Sequence, residues 1–485
     1  MNIRIILVTI LSFITNLSNA QKDLPTDYLS SEFHKNRREA LRKSMPENSV
    51  AVFFANAVRN RANDVDYVYH QDPNFYYLTG YNEPHAVLLI FSEEKEVNDV
   101  ITNELIYVQK RDASAEMWTG RRLGVEGVGA NLGFSNVFNG EDFKDLNIDF
   151  SSFDKVLFTD FKNDVRDSKT NEADLYNLIE QFKIKVSYEA QSFEIPTEEQ
   201  IVEIETNIDV EGLKTLMASL REVKTEDELV LLKKACEISA VGQMEVMKAM
   251  HPNMSEAEVQ GVHEYIYKKY GAEYEGYPSI VGGGNNGCVL HYIENTKTKL
   301  DNDLVLMDLG AEYHGYTADV TRTIPANGKF NKQQRLIYDL VYDAQEAGIK
   351  ETVVGSDFKR IDSVGREIIN KGLYKLGIID SVGQKHTYFP HGTSHHIGLD
   401  VHDLSNRGEL KENMVITVEP GIYIPEGSPC DEKWWGIAVR IEDCILVTKN
   451  GPFNYSGMAP RDADEIEDLM KEESILNAFT LPKLD

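Results

Sequence analysis

Apolar and polar positions follow two different periods along this chain. Across residues 30–195, apolar runs at 49–54, 86–91, 105–108 and 155–158 read as strands, alternating with helical stretches at 31–44 and 171–182. That alternation predicts an α/β domain. Further on, Thr225 and Glu228 form a T-x-x-E capping box, opening a helix with Leu229, Leu232, Cys236 and Ala240 on one face. Ser255 and Glu258 repeat the signature ahead of Val259, Val262 and Ile266, with Gly271 as the stop. Two more amphipathic helices are expected at 332–347 and 356–377. The late segment ADEIEDLMKEE (463–473) reads as a solvated acidic helix.

Between these helices lie two hairpin patterns, each carrying two acids. In VLMDLGAEYHGYTADVTRT (305–323), an apolar run leads to Asp308, a turn-like GAEYHGY follows, and an alternating strand carries Asp319. A midpoint between Tyr313 and His314 sets the two acids face to face. Opposed residues have Cβ atoms only about 4.5–5.5 Å apart, where like charges repel. A buried, unpaired carboxylate costs several kcal/mol more in desolvation. About a hundred residues later, MVITVEPGIYI carries Glu419 and WWGIAVRIEDCILV carries Glu442, with the midpoint at Cys430 and Asp431. Two such hairpins read as halves of a pseudo-twofold site. Between them lies HGTSHHIGLDVHD (391–403), in which His391 and His395 share a side and His402 lies further along. Four carboxylates with histidine suit divalent cations: manganese first, then cobalt or zinc. On the last strand Arg440, Glu442 and Cys444 share a face, which places Arg440 to brace the acids or bind substrate.

Composition narrows the partners. At 485 residues, 42% apolar and 27% charged, the chain exceeds one core and fits two domains. A net charge of −29 argues against nucleic acid or an anionic membrane as partner. Residues 1–20 have the marks of a signal peptide: Arg4, an apolar core at 5–14, and Ser18-Asn19-Ala20 before Gln21. Removal near Ala20 would leave an exported protein with no membrane span. Cys236, Cys288, Cys430 and Cys444 include no C-x-x-C pair; Cys430 and Cys444 could bond across the second hairpin, but free thiols are the default.

The first domain offers no constellation of ligands or nucleophiles. In the aromatic stretch at 63–84, Tyr67, Tyr69, Phe75, Tyr76, Tyr77 and Tyr81 read as packing, and Asp64 and His70 have no partner nearby in sequence. Trp118, Arg121 and Arg122 read as a loop contact. The boundary is expected in PTEEQIVEIETN, after Phe193. Gly282, Gly283 and Gly284 lack the phosphate-loop pattern and fit a pocket wall, with His291 just beyond.

Taken together and in this order, YIEN, DLGAEYHGYTADVTRTIP, HGTSHHIGLDVHD, VEPGIYI and VRIED resemble the Xaa-Pro aminopeptidases and prolidases of the pita-bread metallopeptidases, and the 63–84 stretch resembles their amino-terminal domain. The resemblance implies a creatinase-like α/β domain at 21–195 and a linker helix region at 196–224. An α+β pita-bread domain at 225–470 and a tail at 471–485 would follow. It makes Asp308 a chelating ligand, Asp319 and Glu442 bridges between two ions, and His395 and Glu419 ligands of the other ion. Glu419 would also shuttle a proton. His291, His391 and His402 would orient the peptide carbonyl and stabilise the tetrahedral intermediate, with Arg440 beside them. Tyr277, Tyr423, Asp64 and Trp118 would contact substrate, the last two from a neighbouring subunit of a homodimer or homotetramer. The implied reaction is hydrolysis of the bond between an amino-terminal residue and proline by a metal-bridged hydroxide. A prolidase confined to Xaa-Pro dipeptides is the alternative. A methionine aminopeptidase would lack the first domain, and a non-catalytic peptide-binding relative would have lost a ligand.

Overall fold

The computed structural model describes residues 27–159, 170–188 and 206–478. The expected signal peptide and the boundary near residue 195 lie outside them.

The first domain is built on a six-stranded mixed sheet. Its order is Val137–Asn139, Val100–Val108, Val87–Val97, Ser49–Phe54, Lys155–Phe158 and Ile208–Asp209. The strand Ser49–Phe54 runs antiparallel to Val87–Val97 and parallel to Lys155–Phe158. Val50, Val52, Leu89 and Phe91 pack with Phe150 and Phe182 on one face. Ala51, Phe53, Leu88 and Ile90 pack with Phe33 and Leu41 on the other. Burial of both faces is why SVAVFF reads as an unbroken apolar run. The helix Ser31–Ser44 forms as expected, while the next begins later than expected, at Leu175–Val186. The sixth strand lies inside the segment read as a linker, which then continues as the helix Gly212–Arg221. The second face does not end with the domain: its cluster runs on through Leu229, Leu232, Cys236, Tyr316, Ile397 and Val415. The domains therefore share a core.

The second domain repeats one motif, a helix pair followed by a hairpin. Glu226–Ala249 and Glu256–Lys269 precede the strands Leu304–Asp308 and Thr321–Pro325. Lys332–Glu351 and Phe358–Lys375 precede Val415–Val418 and Asp443–Thr448. Both anticipated capping boxes form, and Asn331 with Gln334 makes a third. Each cap satisfies amide groups left over at a helix start, worth about 1 kcal/mol.

The second hairpin keeps the expected register: Val418 pairs with Asp443 and Gly421 with Arg440, which sets Glu419 opposite Glu442 in the gap between the two ladders. The first does not. Asp308 pairs with Thr321 and Tyr313 with Tyr316. The turn is therefore His314-Gly315, where both residues have positive φ, 50° and 87°. A two-residue loop of that hand matches the twist of the strands, and glycine makes its second position cheap. Asp319 thus sits two residues from the partner of Asp308. A shift of two keeps it on the same face.

The acidic helix near the carboxyl end is also corrected. Ala463–Leu469 buries Ala463 and Ile466 in the second domain's core, and Glu467 accepts from Lys329 and from the Phe330 amide. Its small and apolar residues, Ala463 and Ile466, lie three apart on one face, so that side packs inward while most of the charge stays outside.

Candidate active site

The four acids stand where ladders break. Asp308 closes the strand Leu304–Asp308, and Asp319 lies between Tyr316–Thr317 and Thr321–Pro325. Glu419 and Glu442 occupy the two gaps of the second hairpin. At a break the side chain leaves the sheet surface, so all four can turn toward one cleft.

They meet there. The Tyr277 hydroxyl reaches Asp308 Oδ1 at 2.5 Å and Asp319 Oδ1 at 2.6 Å. Arg440 pairs with Asp308 Oδ2 and comes within 4.0 Å of Glu442. Thr321 donates to Glu442 at 2.6 Å. His395 Nε2 lies 3.4 Å from Asp319 and 3.5 Å from Glu419. Its Nδ1 is 3.0 Å from the His396 carbonyl. With the proton on Nδ1 in that bond, Nε2 turns its lone pair to the acids, as a metal-ligating histidine does.

Electrostatics then show what the cleft lacks. Burial, and next the Asp308 carboxylate, hold Asp319 well above the usual carboxylate range. Burial and Asp319 do the same to Glu442, and burial with Glu442 pushes Glu419 up to about 8. Burial would raise Asp308 too, but Arg440 and Tyr277 hold it below its ordinary value. One guanidinium pairs closely with one of four buried acids, and its weaker pull on Glu442 and Glu419 does not offset their burial and mutual repulsion. Ligand atoms of Asp319, His395 and Glu442 lie within 4.8 Å of one another, so an oxygen-rich set with one imidazole fits a divalent cation.

Of the other expected site residues, His391 and His402 join the group. His391 Nε2 lies 2.8 Å from the Tyr423 hydroxyl, which in turn accepts from Arg440 at 2.9 Å. The His402 ring stacks on that of His395 at 4.0 Å. After burial, His395 and His291 both depress His402, to about 4, so His291 is electrostatically part of the same mouth. Tyr277, expected to touch substrate, is hydrogen-bonded to two of the acids. Asp64 and Trp118 are exposed on the first domain, and among the described residues neither is hydrogen-bonded to the cluster. Cys430 and Cys444 are both free.

Other residues could not be matched to their partners from the sequence. Thr321 joins Glu442 to Arg440. Asp403 is buried between Arg221 and Lys224, and this anchors the chain next to His402. His70 crosses from the first domain to bond Glu312 at 2.9 Å. Each is a polar residue whose partner is far away in sequence.

A buried, cation-demanding cleft between two half-sites is the architecture of a metallohydrolase, and comparison with known proteins agrees. Residues 230–449 match the metallopeptidase family M24, and residues 34–154 match the aminopeptidase P amino-terminal domain. The Xaa-Pro aminopeptidase of Haemophilus influenzae is 34% identical over 91% of this chain and 98% of its own. Aminopeptidase P from Escherichia coli, solved with the inhibitor Pro-Leu, superposes with a TM-score of 0.78 at 32% identity, covering 92% of this chain and 99% of that one. A zinc-substituted form of the same enzyme with product matches at 0.77 and 31%, over 92% of this chain and 99% of that one. This chain belongs to the aminopeptidase P family of M24 metallopeptidases, with the creatinase-like and pita-bread domains of that family.

Proposed function

We propose that this metallo-aminopeptidase cleaves the bond between an amino-terminal residue and a following proline. The observation that carries the reading is the convergence of Asp308, Asp319, Glu419 and Glu442 with His395 in one cleft. These five residues would hold two divalent cations, manganese first, with Asp319 and Glu442 shared between them. Cations held there supply Lewis acidity and lower the pKa of water near the scissile carbonyl.

The chain's own groups do the rest. Glu419, beside His395 in the cleft, accepts a proton and returns it to the leaving proline nitrogen. Arg440 donates to Tyr423, Tyr423 to His391 Nε2, and His391 Nδ1 to the Gly392 carbonyl, which fixes the ring in one tautomer. His291 and His402, at the open mouth, donate to the carbonyl oxygen as charge develops on it. The scissile amide is tertiary, with no N–H and with φ set near −65°, so shape selects it rather than an amide donor. Exposed Asp64 and Trp118 fit a role in closing the pocket of a second subunit in a homodimer or homotetramer. We propose export as well, with residues 1–20 removed; no helix among the described residues is long and apolar enough to cross a membrane.

A panel of Xaa-Pro-Xaa and Xaa-Pro peptides tests the specificity. Turnover of the longer peptides is expected, and activity confined to dipeptides would make the enzyme a prolidase. Asp319→Asn should lower activity and bound metal together, by more than about 100-fold in kcat/KM. Retention of both would refute the bridging role.

A further inference from the structure

Behind the cleft, both main-chain groups of Asp319 go to one side chain. Its N–H donates to Cys444 Sγ at 3.4 Å, and Cys444 Sγ–H donates back to its carbonyl at 3.1 Å. The reason lies in the first hairpin. Ala318 bonds to Ala311 and Val320 to Leu309, so alternation turns the Asp319 peptide groups away from the partner strand. They face the second half of the domain. There, Glu442 N–H donates to the Thr321 carbonyl at 3.1 Å, and Arg322 donates to the Glu442 carbonyl at 2.7 Å. Two residues along this seam, among the described residues, the thiol takes the place of a strand partner for Asp319. A buried amide group left unpaired is destabilising, so the thiol's two bonds matter. Cys444 is itself fully buried, and Cys236 from the helix Glu226–Ala249 belongs to the same buried cluster.

Cys444 also stands two residues beyond Glu442. One thiol is therefore linked by two residues of strand to one shared acid and by two hydrogen bonds to the other. We propose that Cys444 is a positioning residue that sets the separation of Asp319 and Glu442, and so holds the pair ready to share two cations. The inference rests on the two-cation reading above. Cys236 supports the thiol by packing and has no bond to either acid.

Cobalt titration tests this by calorimetry and visible absorption, on full-length wild type, Cys444→Ala, Cys444→Ser and Cys236→Ala, with metal-free melting curves alongside. Cys444→Ala is expected to raise the Kd of the weaker-bound Co2+ by about 10-fold or more and to change its visible bands. Cys444→Ser, which keeps a donor and an acceptor, should recover most of that loss. Cys236→Ala should stay within about threefold of wild type while losing comparable metal-free stability. Wild-type affinity in Cys444→Ala would overturn the proposal, as would an equal loss in Cys236→Ala. If Cys444→Ala does not fold, the serine variant decides: spectra and affinity near wild type support the role, and a loss of about 10-fold or more sinks it. Wild-type protein that binds fewer than two Co2+ would instead overturn the two-cation reading.

Discussion

Like charges buried together set the chemistry at the scale of single residues. Asp319 and Glu442 are raised well above the carboxylate range, and Glu419 sits near 8. At pH 7 Glu419 therefore keeps a proton that a divalent cation must displace. Calorimetric titration with Mn2+ at pH 7, in buffers of different ionisation enthalpy, should show net proton release on binding. The apparent affinity should weaken as pH falls. A heat of binding that does not depend on the buffer would mean that these acids are already ionised, against the burial argument. The four acids were legible in the sequence because acids on apolar strands are conspicuous, whereas His395 was singled out from the other histidines only by the family resemblance. Thr321 and Cys444 were not, because a threonine or cysteine in a strand reads as ordinary packing until its distant partner is known.

At the scale of elements, the two helix starts marked by capping boxes were read from local chemistry and came out as expected, since a capping box is satisfied within one turn. The first hairpin's register depended instead on which residues would accept positive φ, and the paired acids pointed to the wrong midpoint. The helix Glu256–Lys269 carries a further consequence. His263 is fully buried against Gly242, with no hydrogen-bond partner for either ring nitrogen among the described residues, and burial lowers it to about 3. The unfolded chain takes up a proton at this residue near pH 6.5 and the folded chain does not, so stability is full above 6.5 and falls as pH drops toward 3. His263→Leu should reduce the loss between pH 6.5 and 4 by on the order of 2 kcal/mol, read from urea midpoints across that range. An unchanged acid limb would show that His263 is protonated in the fold.

For the whole molecule, the domains meet through the shared core and through polar contacts at the first hairpin's tip. His70 bonds Glu312, while His314 bonds Glu273 and Asp27. The carboxylate bond outweighs burial at His70, and at His314 the acids overcome the opposing effect of burial; both imidazoles are raised. A raised histidine contributes fully below about pH 6.5, and the contribution is lost as pH rises through the folded value. Glu312→Gln should therefore lower the melting temperature at pH 6 by a few degrees and much less at pH 9. Equal losses at both pH values would assign Glu312 a packing role. The half-exposed His70 keeps the expected effect modest.

The sequence alone determined the two-domain order, the capped helix starts, the main strands and the four acids that meet in the cleft. Each of these is written in local periodicity or in a motif whose residue types serve one chemistry. Tertiary structure alone decided the first hairpin's turn, the burial of one side of the last helix, the anchoring of Asp403 by Arg221 and Lys224, and the thiol behind Asp319. Those outcomes depend on which polar groups lose water when distant segments close together, and only the folded chain specifies that.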